Sequence, residues 1–463
     1  MQHCMFSARW PTGSLITFIR QAFISRSLIS LSLISFAHIG FVLYLLLFSA
    51  QTHAAEVNSH QPLPDPLSLE QALALSGMDH PDLQLAFGQL EAAYARQDMV
   101  DADTGIQVKL ELNPQRVKLS KNGETTGDSY ASLSVRKKLY DFGYSDALAM
   151  STDAEVAQYQ YQFTQAMLQH RINIIRDFYA VILADLRYTF EDEEMSQLYV
   201  KYDRLRERHS LGMITETLML KARNRYSEQR DIRNATDHQR RIARQRLALR
   251  LNRPNQLPSG LTPPDFSNRA LDIPEFQQLM NQALRLNPAL QALRQNVKAA
   301  QERLQAQKTK FNPSISAVLD LNEYERSLSS RADVRVGLQL NVPIYLGGNK
   351  QAVSRLAYAE LKSSQMQLRL AEFTLREQLL ELVTRLKTLK GKRQTAIERV
   401  TLQDQVLDRQ RALYELEIKA SMGSSLANLT HAQWQEAKSG FDIALTLAQI
   451  EALLGRPFTT NYK

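Results

Sequence analysis

The sequence predicts a mainly α-helical chain with a small β part, arranged as a duplicated unit of helix, β-hairpin, long helix and shorter helix. Three observations carry that prediction. Long spans lack both proline and glycine, two pairs of short segments alternate apolar with polar residues, and the same motifs recur in the same order in each half of the chain. At 463 residues, with 44% hydrophobic and 22% charged residues, the chain is neither disordered throughout nor a polytopic bundle of membrane helices.

Residues 1–54 read as a secretory signal. Arg9, Arg20 and Arg26 precede a run from Leu28 to Ala50 without Asp, Glu, Lys or Arg, and Thr52 and Ala54 then occupy the small-residue positions of a signal-peptidase site. Cleavage after Ala54 is the expectation. The alternative is a retained anchor, because ~20 apolar residues span a bilayer. The single cysteine, Cys4, falls in this segment, too early to be a lipidated residue at the cleavage point, so the mature chain would have no disulfide and no cysteine chemistry. An N-terminal extension, residues 55–66, follows.

Two spans have nothing to interrupt a helix. There is no proline between Pro114 and Pro254 and no glycine between Gly143 and Gly212; between Pro343 and Pro457 there is again no proline, and after Gly348 only Gly391 precedes Gly423. Val156, Tyr159, Phe163, Met167, Ile175, Phe178, Ile182 and Leu186 recur at helical spacing, and Leu198, Tyr202 and Leu205 extend the stripe. A helix over 144–211 would be ~100 Å long at ~1.5 Å per residue, too long for a globular core, so it needs other helices alongside it.

The strand pairs have a different period. Ile106, Val108, Leu110 and Leu112 alternate with Gln107, Lys109 and Glu111, and Ile315, Ala317, Leu319 and Leu321 alternate with Ser314, Ser316 and Asp320. The stretch DVRVGLQLNVPIY alternates over about twelve residues, whereas ASLSVRKKL is interrupted by Lys137. Polar loops at 120–129 and 323–331 join each pair into a hairpin. A half-buried sheet in a soluble domain is one home for such strands; a transmembrane barrel, built from strands of ~9–11 residues, is the other. In lipid four strands cannot close alone, and the smallest barrels have ~8 strands, so copies of the chain would share one.

The halves match in order. HPDLQLAFGQLEAAYARQ answers NPALQALRQNVKAAQERL, KLYDFGYSDA answers PIYLGGNKQA, LGMITETL answers MGSSLANL, and NRP answers GRP. The first repeat is assigned to 67–253, with hairpin strands at 105–140, a long helix at 144–211 and a return helix at 214–252. An inter-repeat linker with four prolines at its start occupies 254–274. The second repeat is assigned to 275–457, with strands at 314–345, a long helix at 349–421 and a return helix at 425–455; a tail follows at 458–463.

A strand ending in VPIYLGGNKQA and running into a long helix, with its partner KLYDFGYSDA, the paired helix starts and the paired glycine turns, resembles the TolC family of outer-membrane efflux proteins. The resemblance runs from about Leu67 to Pro457, and its specificity lies in the twofold order rather than in any one motif. It implies a homotrimer whose 12-stranded outer-membrane β-barrel continues into a periplasmic α-helical barrel in a Gram-negative cell. It also implies an outer-membrane lipid environment, a periplasmic adaptor protein and an inner-membrane transporter as partners, and a passive duct gated at its periplasmic end. The linker would lie around the outside of the helical barrel. The strand-to-helix junctions would be Tyr140, Gly143, Pro343, Tyr345, Gly347 and Gly348. The periplasmic mouth, where adaptors dock, would comprise Arg208, Leu211, Gly212, Met213, Thr215, Met422, Gly423, Ser424 and Ser425. Plain helix C-caps are the other reading of Gly212 and Gly423. Members of the family often carry acidic residues just beyond the second turn; here NLTHAQW places Asn428 and His431 at the candidate lumen constriction.

No catalytic constellation is present, and no enzyme, cofactor or metal is predicted. Asp101, Asp103 and the run Glu191–Glu194 read as solvated helix faces. The mature histidines (His60, His80, His170, His209, His238 and His431) lack ligand spacing, and mature methionines such as Met219 read as packing. RIARQRLALRLNR ends a helix without an aromatic platform, and the formal charge of +8 is interleaved with acids, so no nucleic-acid partner is expected. No phosphate-binding loop occurs, which leaves energy to a partner. The competing class is a periplasmic adaptor anchored in the inner membrane, which would need a retained anchor and a compact β-domain. A soluble coiled-coil scaffold leaves the hairpins unexplained.

Overall fold

The computed structural model describes residues 63–457 except 76, 119–122, 124, 257–258, 265–274, 327–330 and 417–420. The predicted signal segment with Cys4, residues 55–62 of the extension, the linker beyond 264 as far as 274, and the tail lie outside the described residues.

A short helix α1 (Leu69–Ala74) is closed at its start by a capping box between Ser68 and Gln71. Helix α2 (Pro81–Thr104) begins with His80 as cap and Pro81 at its first position. Four strands and two helices follow: β1 (Ile106–Asn113), β2 (Arg116–Lys118), β3 (Thr125–Gly127), β4 (Tyr130–Tyr140), α3 (Tyr144–Ser210) and α4 (Glu216–Arg250). The remainder comprises α5 (Phe276–Leu286), α6 (Pro288–Thr309), β5 (Ser314–Tyr324), β6 (Val334–Asn341), α7 (Asn349–Glu415) and α8 (Met422–Leu453). Helices α3 and α7 each have 67 residues, about 100 Å of helix.

Two apolar clusters hold the helices together. Ile174, Ile175, Phe178 and Val181 of α3 meet Leu67, Leu69 of α1, Leu247 of α4 and Phe441, Ala444 of α8. Leu375, Leu379, Val383 and Leu386 of α7 meet Leu279, Met280 of α5, Leu290 of α6 and Ile443, Ile450 of α8. Helix α8 joins both. The described part of the linker folds back toward α1, where Leu67 N–H donates to the Gly260 carbonyl (2.9 Å) and Thr262 N–H donates to the Leu67 carbonyl (3.0 Å).

Helix α4 buries only Ala222, Ala243, Leu247 and Ala248. It is held along α3 by a charge ladder. Arg244 forks onto Asp185 (2.7 and 2.8 Å), Arg233 Nε donates to Asp192 (2.9 Å), and Arg250 pairs with Asp177 (3.3 Å). This corrects the expectation for 191–194: Glu191 is buried, paired with Arg187 and hydrogen-bonded by Gln229 at 2.5 Å, rather than part of a solvated face. The basic end of α4 likewise spends its Arg244 and Arg250 on acids of the same chain.

Strands β1, β4, β5 and β6 form one antiparallel sheet in that order, so the two hairpins meet along β4 and β5. The tip of the first hairpin carries a separate ribbon, β2 paired with β3. The second hairpin was expected to extend to 345, but β6 stops at Asn341. Pro343 has no N–H to donate, and Ile344 and Tyr345 beyond it are exposed.

Each strand-to-helix junction needs two consecutive residues with positive φ: Phe142 (56°) and Gly143 (90°) in the first, Gly347 (60°) and Gly348 (81°) in the second. An L side chain costs ~1–2 kcal/mol in this region. Gly348→Ala is therefore expected to lower stability by about that amount, while Gly347→Asn, whose side chain tolerates the conformation, costs less. Shifts in the denaturation midpoint of the two variants check this.

Candidate functional site

The register aligns three largely apolar rows on one face of the sheet. Val108, Val135, Leu319 and Val336 form the central row, flanked by Leu110, Leu133, Leu321 and Val334 on one side and Ile106, Lys137, Ala317 and Leu338 on the other. The opposite face carries Lys109, Ser134, Asp320 and Arg335 in one row, with Ser134 donating to Asp320 at 2.8 Å and Arg335 3.9 Å from it. Lys137 is the intruder in the apolar face, as its break in the alternation foretold. No described helix covers that face: the apolar residues of β1 and β6 are between 61% and 77% exposed. Strands β1 and β6 are also the two edges, each with one row of backbone groups unpaired in the single chain.

The far ends of the long helices form the candidate mouth. At the end of α3, Gly212 N–H donates to the His209 carbonyl and Met213 N–H to the Arg208 carbonyl (2.9 Å each), a Schellman cap with Gly212 at φ +70°. Arg208 and Thr215 are exposed there, and so are Leu211 (69%) and Met213 (63%). The second tip differs from expectation. Helix α7 ends at Glu415, not 421, and α8 already begins at Met422, so Gly423, Ser424 and Ser425 belong to the first turn of a helix. Gly423 is not a C-cap; a Cβ there would meet the Gln197 amide of α3. Ser425 is buried, whereas Tyr414, Leu416 and Met422 are exposed. Residues 417–420 between the helices lie outside the described residues. Because Gln197 lies against the start of α8, α3 continues past that point to Ser210, roughly 20 Å of further helix.

Asn428 is exposed, but His431 turns back onto α3. Its ring stacks on Phe190 (4.5 Å, 23°) and lies near Trp434 (5.8 Å), with the Arg187 guanidinium over both of those rings. Burial, then Arg187 and Arg399, hold its pKa below the usual 6.5. The unfolded chain therefore takes up this proton first, and stability present above about pH 6.5 is lost as the pH falls through the lowered value. Thermal melts should show a drop in stability between pH 7 and pH 5 that shrinks in His431→Phe.

One cluster was not legible in the sequence. His80 and His170 lie 90 residues apart, yet their rings meet at 4.3 Å beside Asp82. Only the packing of α2 on α3 brings them together.

Among the described residues no helix is long and apolar enough to cross a membrane. Residues 279–455 match the family model for outer membrane efflux proteins. No curated protein matches the chain by sequence. The fold is similar to that of the CmeC outer membrane channel of Campylobacter jejuni, at 14% identity and a TM-score of 0.71, covering 89% of this chain and 92% of that one. It is similar to the outer membrane protein VceC of Vibrio cholerae at 14% identity and a TM-score of 0.66, covering 84% and 97%. The open state of the Neisseria gonorrhoeae MtrE outer membrane channel aligns at 15% identity and a TM-score of 0.66, covering 84% and 89%. The second half of the chain thus matches the outer membrane efflux protein family model, and the chain as a whole shares the fold of these outer membrane channels.

Proposed function

We propose that the protein is an outer-membrane efflux channel: a homotrimer in which three four-stranded sheets close a 12-stranded barrel and the long helices line a periplasmic tube. The observation that carries this reading is the uncovered apolar face of the sheet, bounded by two unpaired edge strands. In water that face would stay unfavourably hydrated, and in lipid the open edges would leave peptide groups unpaired. Pairing β1 of one copy with β6 of the next removes both problems at once.

The polar face of the sheet would then line the lumen, and the chain would act as a passive exit duct of a tripartite efflux or type I secretion assembly. The exposed Leu211, Met213, Tyr414 and Leu416 at the helix tips fit docking of a periplasmic adaptor, which would connect the duct to an inner-membrane transporter. Gating would follow from movement of α3, α4, α7 and α8 at that end. The equal 67-residue helices and the twin Schellman caps at Asn252 and Gly455 support a duplicated chain, with repeats at 67–253 and 275–457. Nothing favours the adaptor alternative: among the described residues the strands form one sheet and a ribbon, with no compact β-domain.

The test is biochemical. The mature chain should fractionate with the outer membrane, leave detergent extracts as a trimer, and open conducting pores in planar bilayers. Recovery as a water-soluble monomer defeats the proposal.

A further inference from the structure

His80, Asp82 and His170 each bring one ligand atom within 4.8 Å of the others. His80 caps α2, its Nδ1 accepting the Asp82 N–H at 3.2 Å. His170 sits in α3, 2% exposed, and neither of its ring nitrogens has a hydrogen-bond partner. A buried polar group without a partner is unfavourable and calls for an explanation.

The second half of the chain offers an internal comparison. Counted from the starts of the two 67-residue helices, Tyr144 and Asn349, His170 corresponds to Leu375. Counted from the proline that opens each preceding helix, His80 and Asp82 correspond to Asn287 and Ala289. In that half Asn287 caps α6 through the Leu290 N–H and donates to the Leu453 carbonyl (3.0 Å each), and Leu375 is buried in an apolar cluster. Two imidazoles and a carboxylate thus stand where the other half has an amide and two hydrocarbon side chains. Capping a helix explains the first of these differences but not the partnerless imidazole of His170.

We propose that His80, Asp82 and His170 bind a divalent first-row transition ion, with Zn²⁺ the best fit, and so clip the start of α2 to the middle of α3. Two imidazoles and one carboxylate are a donor set of suitable softness for zinc, and water completes the tetrahedron. The Asp82 side chain is 63% exposed and leaves a way in from solvent. Arg250, 3.0 Å from Asp82, also pairs with Asp177, so it keeps a carboxylate when Asp82 turns to the ion. Binding through Nδ1 exchanges the hydrogen bond that the His80 ring accepts from the Asp82 amide for a metal bond. Burial, helped by His80 and Arg250, lowers the His170 pKa to about 4, so its lone pair is free at neutral pH.

The experiment uses the full chain purified in detergent without a polyhistidine tag, stripped with chelator and titrated with Zn²⁺ by calorimetry, with melting followed in parallel. One ion should bind per chain and raise the melting temperature, while Mg²⁺ and Ca²⁺ do neither. His170→Leu, which installs the residue of the second half, should stay folded in chelator yet bind zinc at least about tenfold more weakly and lose the thermal shift. His80→Asn should behave alike. Absence of saturable zinc uptake by the wild type, or undiminished uptake and thermal shift in both variants, overturns the proposal.

Discussion

A Val336→Arg chain is expected to reach the periplasm and fail to assemble in the outer membrane. Val336 is 77% exposed in the single chain and lies in the central apolar row with Val108, Val135 and Leu319. In the proposed barrel this row faces acyl chains near mid-depth, where an arginine costs about 2–4 kcal/mol. A trimer carries the charge three times, so the assembly loses roughly 6–12 kcal/mol. Gln339→Arg, on the opposite face of the same strand, meets water in the lumen and should assemble normally. The amounts of trimer in the outer-membrane fraction of the two variants make the comparison, and equal loss in both would argue against a lipid-facing apolar side.

Phe178→Ala is expected to cost about 3–5 kcal/mol by opening a cavity in the cluster that joins α1, α3, α4 and α8. Phe178 is fully buried, its ring edge-on to Tyr179 at 6.2 Å, and Tyr179 in turn stacks on Phe441 of α8 at 4.4 Å. Little else can fill the gap, because the surrounding Ile174, Ile175 and Val181 lie on the same rigid helix. Chemical denaturation should show the helical signal lost at a clearly lower midpoint, and proteolysis should reach the middle of α3 first.

The long helices were legible because nothing between Tyr144 and Ser210 can stop a helix, and the strand pairs because their period is two. The apolar stripe located the core of α3 correctly at Ile175, Phe178 and Ile182 but missed Ile174 and Val181, which are fully buried in the same cluster. Glycine was the less reliable guide. Gly423 stood for a turn, yet α7 ends earlier, at Glu415, and Gly423 lies in the first turn of α8, where it allows a close contact with Gln197 of α3. Conversely, Phe142 holds a left-handed conformation that its side chain gives no sign of. Acidic residues resisted reading for another reason: whether Glu191 is solvated or buried depends on Arg187 and on Gln229 of another helix. The mouth assignment rested on resemblance; the geometry puts exposed apolar side chains at both tips and stacks His431 on Phe190 of α3.

Barrel closure between copies is tested most directly by disulfide scanning of the two edge strands. The only native cysteine, Cys4, lies in the predicted signal segment, so introduced thiols would report alone. Single cysteines at Gln107, Lys109 or Glu111 of β1 would be combined with single cysteines at Arg335, Gly337 or Gln339 of β6, all on the polar face. The account predicts that some combinations, oxidised in intact outer membranes, yield a covalent ladder ending at the trimer. If every combination runs as a monomer while the chain resides in the membrane, copies do not pair β1 with β6, and the shared barrel is wrong.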